Sequence, residues 1–219
     1  MDDVTRRTFI AGGAGAVALL AVGGTAKYAF GSDQMLRPPG GQNEDTLIAN
    51  CIKCDRCWTV CPLKCVVPAN MNDGLLNSRT PKLDFHKGYC DFCVDANDGK
   101  PLCRANCPTG ALGSFDPDTE WIGAAVLDTE LCLAYGVARS CMRCIEGCPF
   151  DAIVADEYGR PVVDTEKCNG CGYCEFICPS NTYRTYSGST KRAIVVEPSE
   201  ISRTEFVEGN PIEAKGGQA

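Results

Sequence analysis

The sequence is poor in histidine, in positive charge and in long apolar runs. Its single histidine, His86, excludes zinc sites and Rieske centres that need two histidines. Acidic residues outnumber basic ones by 28 to 21, which gives a formal charge of −7. This balance argues against a nucleic-acid partner, since phosphate binding needs clustered Lys and Arg. The apolar stretch Ala11–Gly24 has about fourteen residues, fewer than the roughly twenty that span a bilayer as a helix, so a permanent transmembrane anchor is disfavoured.

The amino terminus has the pattern of an export signal. Paired arginines, Arg6 and Arg7, stand directly before this short, weakly hydrophobic stretch, an arrangement typical of twin-arginine signals. We predict that residues 1–31 form such a signal and direct the folded protein to the periplasm or to the extracytoplasmic face of the cytoplasmic membrane. The alternative is an uncleaved tether, because Gly24-Thr25-Ala26 is a modest cleavage site.

Seventeen cysteines dominate the rest of the chain. Two runs, Cys51–Pro62 and Cys168–Pro179, match the bacterial ferredoxin pattern C-x2-C-x2-C-x3-C-P. Two further copies, Cys90–Pro108 and Cys132–Pro149, differ only in that one two-residue gap has grown into a loop. The four copies predict ligands for four [4Fe-4S] clusters. The sixteen candidate ligands are Cys51, Cys54, Cys57, Cys61, Cys90, Cys93, Cys103, Cys107, Cys132, Cys141, Cys144, Cys148, Cys168, Cys171, Cys174 and Cys178.

Two other uses of cysteine remain as alternatives. A disulfide framework is natural outside the cytoplasm, but it gives no reason for four repeats that each end in Cys-Pro. Structural zinc prefers two separated Cys-x2-4-Cys knuckles, which a run of four cysteines in eleven residues matches poorly. The spacing therefore favours iron-sulfur clusters.

The repeats extend beyond the cysteines. The segment Cys107–Leu112 aligns with Cys148–Ile153, and Val126–Cys132 aligns with Val162–Cys168. The same alignment places the seventeenth cysteine, Cys65, where the second and third copies have Ala111 and Ala152. Because free cysteine behaves as a small hydrophobe, Cys65 is predicted to be a packing residue, with a spare ligand or redox-sensitive thiol as the alternative.

Short apolar strands flank the cysteine loops, with a turn at residues 157–160, and they predict an α+β fold of two ferredoxin-like double-cluster modules with β-hairpins. We predict a four-cluster domain over residues 45–198 and a polar tail over 199–219. Matching loop insertions predict that module B, about 81–159, is nested inside module A, about 45–80 plus 160–198. A simpler sequential pairing of neighbouring motifs is the alternative.

In a ferredoxin motif the fourth cysteine ligates the neighbouring cluster, so the nested arrangement predicts four ligand sets. These are Cys51, Cys54 and Cys57 with Cys178; Cys168, Cys171 and Cys174 with Cys61; Cys90, Cys93 and Cys103 with Cys148; and Cys132, Cys141 and Cys144 with Cys107.

The Arg6-Arg7 start and the four cysteine motifs together resemble the NapG/MauM family, the ferredoxin-type proteins of periplasmic nitrate reductase and methylamine utilisation systems. The resemblance covers nearly the whole chain. It implies a periplasmic relay that takes electrons from a membrane quinol dehydrogenase-type polyferredoxin, or another redox protein, and passes them toward a terminal reductase.

No catalytic constellation stands out in the sequence, so an electron carrier rather than an enzyme is predicted. The alternative is the iron-sulfur subunit of a complex with a molybdopterin oxidoreductase, which co-purification with a large catalytic subunit would reveal. A third alternative, a non-redox scaffold around structural metal, predicts a colourless zinc protein.

Overall fold

The computed structural model describes residues 35–116, 119–136, 140–183 and 191–198. The predicted signal, residues 1–31, and the predicted tail, residues 199–219, lie outside this part of the chain. The α-helices are α1 (Glu44–Asn50), α2 (Arg56–Thr59), α3 (Val94–Asn97), α4 (Leu102–Ala105), α5 (Arg143–Glu146), α6 (Tyr173–Ile177) and α7 (Ser180–Tyr183). The strands are β1 (Val66–Pro68), β2 (Pro81–Leu83), β3 (Gly123–Leu127), β4 (Ile153–Ala155), β5 (Pro161–Val163) and β6 (Ile194–Pro198), and a 3-10 turn covers Met71–Asp73.

The strands form three separate antiparallel pairs, β1 with β2, β3 with β6, and β4 with β5. Mixed short helices and antiparallel strands confirm the α+β class. The predicted β4–β5 hairpin is present, with Ile153 opposite Val163. Strand β6 pairs with the distant β3, and Gly123 lies opposite Pro198. Because β3 precedes the third motif and β6 follows the fourth, this pairing joins the two ends of the segment that holds both motifs.

The repeat seen in the sequence recurs in the backbone. The third residue after each of Cys61, Cys107 and Cys148 has a left-handed conformation: Lys64 at φ 56°, Gly110 at φ 65° and Asp151 at φ 49°. In each case its N–H faces the carbonyl oxygen of that cysteine, at 3.3 to 3.5 Å. The chain therefore turns in the same way after each of these three Cys-Pro pairs.

Glycine is required at one turn of the last motif. Gly172 has φ 76°, and a Cβ added there would lie 2.3 Å from the ring of Phe85. The equivalent residue of the first motif, Asp55, also has a positive φ, 66°. The two complete motifs thus share the left-handed conformation at this position, and in the last motif the glycine packs against an aromatic ring.

The main core is built from both halves of the chain and is unusually rich in sulfur. It contains Cys65, Cys90, Cys171 and Cys174 together with Phe92, which is 2% exposed. Two smaller clusters of buried residues flank it, one around Leu47 and Cys103 and one around Cys132. Within the described residues, no helix is long and apolar enough to cross a membrane.

The nested double-module arrangement is not confirmed. Helix α2 of the first motif packs on α4 of the second, and α5 of the third packs on α6 of the fourth. The hairpin of β1 and β2 lies between the first two motifs, so the chain folds back on itself before the second motif begins. The first motif therefore packs on the second, and the third packs on the fourth.

Candidate iron-sulfur cluster sites

The sixteen candidate cysteines come together as four groups of four thiols. We number them by their order in space. Group 1 is Cys51, Cys54, Cys57 and Cys107. Group 2 is Cys61, Cys90, Cys93 and Cys103. Group 3 is Cys148, Cys168, Cys171 and Cys174. Group 4 is Cys132, Cys141, Cys144 and Cys178.

Each group contains the predicted trio but a different fourth cysteine. The structure places Cys107, not Cys178, with the trio of the first motif, and Cys61, not Cys148, with the trio of the second. It places Cys178 with the third motif and Cys148 with the fourth, where Cys107 and Cys61 were predicted. The reason is the packing of α2 on α4 and of α5 on α6, which exchanges fourth cysteines between sequence neighbours. This corresponds to the sequential pairing.

The four groups form a row. Groups 1 and 2 exchange fourth cysteines across the α2–α4 contact, and groups 3 and 4 do so across the α5–α6 contact. The two pairs meet where the backbone N–H of Cys90 donates a hydrogen bond to the carbonyl of Cys171, at 2.8 Å. Cys90 belongs to group 2 and Cys171 to group 3. The spatial order is therefore 1, 2, 3 and 4.

Backbone N–H groups point at several of the sulfurs. The N–H of Ala152 donates to Sγ of Cys148 at 3.3 Å, and that of Ala125 donates to Sγ of Cys168 at 3.4 Å. Ala152 follows a left-handed residue, and Ala125 lies in β3, so both donors are held by the fold. Such hydrogen bonds stabilise negative charge on sulfur.

Several thiols in these groups resist ionisation on their own. Burial, followed by the neighbouring Cys51 and Cys54, raises the pKa of Cys57 to about 11. Burial and the other cysteines of their groups raise the pKa of Cys144 and of Cys171 to about 12. Buried like charges need a compensating positive charge before they can ionise together. A bound cation would supply this charge and hold the ligands as thiolates.

Cys65 is buried beside group 2 without being one of its four thiols. It is 1% exposed, and its Sγ lies 3.7 Å from Sγ of Cys61. The hydrogen bond with Cys65 is the main reason that the pKa of Cys61 is lowered to about 6. Ala111 and Ala152, at the same repeat position, are likewise buried. The predicted burial of Cys65 is confirmed, whereas its contact with Cys61 could not be read from the alignment.

The donor sets fit [4Fe-4S] clusters. All seventeen cysteines are free thiols, and each group offers four of them around a common space. Within the described residues, no three Cys, His, Asp or Glu side chains are arranged to hold a single metal ion. Four thiols with N–H donors to sulfur are the ligand chemistry that such clusters use. The residues that would hold the clusters are the sixteen members of groups 1 to 4.

The chain is similar to known ferredoxin-type proteins. Residues 139–182 match a 4Fe-4S dicluster domain family. Ferredoxin-type protein NapG of Escherichia coli strain K12 is 34% identical over 193 residues, which cover 81% of this chain and 79% of that protein. Methylamine utilization ferredoxin-type protein MauM of Paracoccus denitrificans is 33% identical over 193 residues, which cover 80% of this chain and 83% of that protein. The chain therefore belongs to the NapG/MauM family of ferredoxin-type proteins.

Proposed function

We propose that this protein carries four [4Fe-4S] clusters in a row and conducts electrons along them between two redox partners. The observation that carries the proposal is the gathering of sixteen cysteines into four adjacent groups of four thiols. Membership of a ferredoxin-type family supports iron-sulfur electron transfer. One-electron chemistry is what such clusters supply when they are bound.

The residues of the chain set the path and its environment. Groups 2 and 3 lie in the middle of the row, and their cysteines Cys90, Cys171 and Cys174 belong to the main core. The stacked rings of Phe92 and Phe115, with centroids 5.7 Å apart, pack in the same core. This apolar surrounding excludes water from the central positions, and solvent exposure is one of the factors that set a cluster's potential.

Purification of the exported protein without oxygen tests the proposal. We expect about sixteen irons and about sixteen acid-labile sulfides per chain, four of each for every cluster. Stepwise reduction should give EPR spectra with interacting reduced clusters, because neighbouring groups are in contact. A zinc protein, or one with about eight irons, would contradict the four-cluster assignment.

We further propose that the protein works outside the cytoplasm, with a membrane quinol dehydrogenase-type polyferredoxin or another redox protein as donor and a reductase as acceptor. The paired Arg6 and Arg7 and the family resemblance support this placement. Stable co-purification with a large molybdopterin-containing subunit would instead favour a role as the iron-sulfur subunit of that enzyme.

Changing the paired arginines to lysines should block export. Twin-arginine signals are read as addresses and require the arginine pair, so Arg6→Lys/Arg7→Lys is expected to leave folded, iron-containing protein in the cytoplasm. Cell fractionation followed by immunoblotting measures the distribution. Lys27→Arg, in the same segment, is the matched control and should leave export unchanged. Normal export of the double variant would contradict a twin-arginine route.

Replacing Cys65 should leave the cluster count intact. Cys65→Ala removes a buried thiol that is not one of the four in group 2, so iron content is expected to equal that of the wild type. The loss of a hydrogen-bonding partner of Cys61 is expected to lower one midpoint potential by an amount on the order of tens of millivolts. Redox titration followed by EPR measures the shift. Cys61→Ala is the control that should lose iron, and iron loss from Cys65→Ala itself would make Cys65 a ligand.

A further inference from the structure

Group 1, at one end of the row, is the least covered of the four groups. Among the seventeen cysteines, all of which lie in the described residues, only Cys54 is exposed. Group 2, its neighbour, has three buried members. A cluster held by group 1 is therefore the one that another protein could approach most closely through Cys54.

Exposed apolar side chains lie on two loops beside the group 1 pocket. Ile52 is 63% exposed, Leu75 is 53% exposed and Leu76 is 46% exposed. The two loops that carry them are joined, because Nζ of Lys53 donates a hydrogen bond to the carbonyl of Leu76 at 3.2 Å. Apolar side chains clustered on a surface and bordered by polar groups are characteristic of interaction sites.

The charged side chains that line the group 1 pocket have a net charge opposite to that of the whole chain. Three cations, Lys53, Arg56 and Arg79, line the pocket of group 1. The pocket lining contains one anion, Asp55, which forms an ion pair with Arg79. The chain as a whole carries a formal charge of −7. Apart from the ligand cysteines and their cluster, the lining has two more positive than negative side chains, and such a surplus helps to attract and orient an acidic partner.

We propose that this surface, the Cys54 face, docks an acidic redox protein that exchanges electrons with the cluster of group 1. The Cys54 face is defined as Ile52, Lys53, Cys54, Arg56, Leu75, Leu76 and Arg79. The proposal rests on the proposed function. Within the complex, one electron passes between the partner's redox centre and the cluster held by group 1, so that one is oxidised as the other is reduced.

A redox protein fits this surface better than a lipid surface or a second copy of the chain. Ile52 and the three cations line the same pocket as the one exposed cysteine, and closeness between redox centres is what electron transfer requires. A lipid headgroup layer would use the same charge and apolar contacts but has no redox centre to place against Cys54. Membrane binding and self-association are therefore outcomes that the experiment must separate.

The test uses the full-length protein with its clusters bound and reduced flavodoxin as an acidic one-electron donor of known chemistry. Stopped-flow absorbance gives the second-order rate constant for reduction of the clusters.

Leu75→Ser/Leu76→Ser is the principal variant, since neither leucine is next to a ligand. Its matched control is Val154→Ser/Tyr158→Ser, which changes two exposed apolar residues, 47% and 72% exposed, on the other half of the chain. Arg56→Glu is compared with Lys100→Glu, which makes the same change in net charge.

We expect Leu75→Ser/Leu76→Ser and Arg56→Glu each to lower the rate constant about tenfold, and the two controls to stay within about twofold of the wild type. The wild-type rate constant should fall as the salt concentration rises. Midpoint potentials are measured for every variant, so that a rate change caused by an altered driving force is recognised. Equal losses in test and control variants, or no reaction of the wild type with flavodoxin, would overturn the proposal.

Two further measurements test whether a membrane or a second copy of the chain binds the Cys54 face in place of a redox protein. If Leu75→Ser/Leu76→Ser keeps its rate with flavodoxin but loses binding to phosphatidylglycerol vesicles, the face binds membrane and the proposal is wrong. If sedimentation shows a wild-type dimer that the same variant dissociates, without a change in rate, the face joins two copies. Reduction of the wild type by dithionite, with the full iron content, keeps these failures distinct from a failure of the proposed function itself.

Discussion

Removal of the iron is expected to unfold most of the chain. The longest helix among the described residues has seven residues, and the strands have three to five. Isolated helices of this length do not persist in water, and three two-stranded ribbons are marginal on their own. The thiols occupy the core itself, so their ligand bonds would hold together the segments that these elements cannot hold.

The energetic consequence follows from linkage. Where a preformed site does not exist in the unfolded chain, the free energy of metal binding is also free energy of folding. Without bound iron, the thiols of each group remain close together, and burial raises the pKa of Cys57, of Cys144 and of Cys171. Few interactions then remain to offset the conformational entropy that the chain loses when it folds.

Far-UV circular dichroism and amide hydrogen exchange of chelator-treated protein, kept reduced and free of oxygen, measure this effect. We expect loss of most of the ordered signal and exchange protection, and recovery when iron and sulfide are supplied. Protein held under the same reducing conditions without chelator is the control. An iron-free chain that kept native exchange protection in β3 and β6 would contradict the prediction.

The second large effect concerns which cysteines share a cluster. Cys54 and Cys107 belong to the same group in the structure, whereas the nested pairing assigns them to different clusters. Cys54→Ala and Cys107→Ala should each cost up to about four irons, one cluster. The double variant is expected to lose no more than the more damaging single variant, because both changes affect the same site and their effects cannot add.

Cys54→Ala/Cys178→Ala is the matched control. Cys178 lies in group 4, at the other end of the row, so its loss of iron should add to that of Cys54→Ala. Iron analysis and integrated EPR intensity measure both double variants. The nested pairing requires the reverse result, additive losses for Cys54 with Cys107 and non-additive losses for Cys54 with Cys178.

Much of the candidate site could be predicted without the fold. Ligand spacing is a local property, because three cysteines within seven residues reach one cluster from a single loop. The same holds for Cys65, whose burial was predicted from its alignment with Ala111 and Ala152 and is confirmed by the structure. The left-handed turns at Lys64, Gly110 and Asp151 show why the alignment works: equivalent residues have equivalent backbone geometry.

The fourth cysteine of each group could not be predicted from the sequence. Cys61 and Cys107 each stand four residues after the last cysteine of their own trio, and that spacing is identical for every motif. It indicates that the fourth cysteine reaches a neighbouring cluster but carries no information about which neighbour. The similar loop insertions of the second and third motifs predicted a nested pairing, but insertions reflect local loop length and not the contacts between motifs.

The sequence by itself predicted the ligand type and determined the four motifs, the α+β class, the place of Cys65 and the family. Only the tertiary structure decided that α2 packs on α4 and α5 on α6, that Cys90 meets Cys171, and that Cys54 is exposed at one end of the row. The physical reason is that a cluster motif is closed by residues close in sequence, whereas the order and exposure of the motifs depend on side-chain packing between segments far apart in the chain.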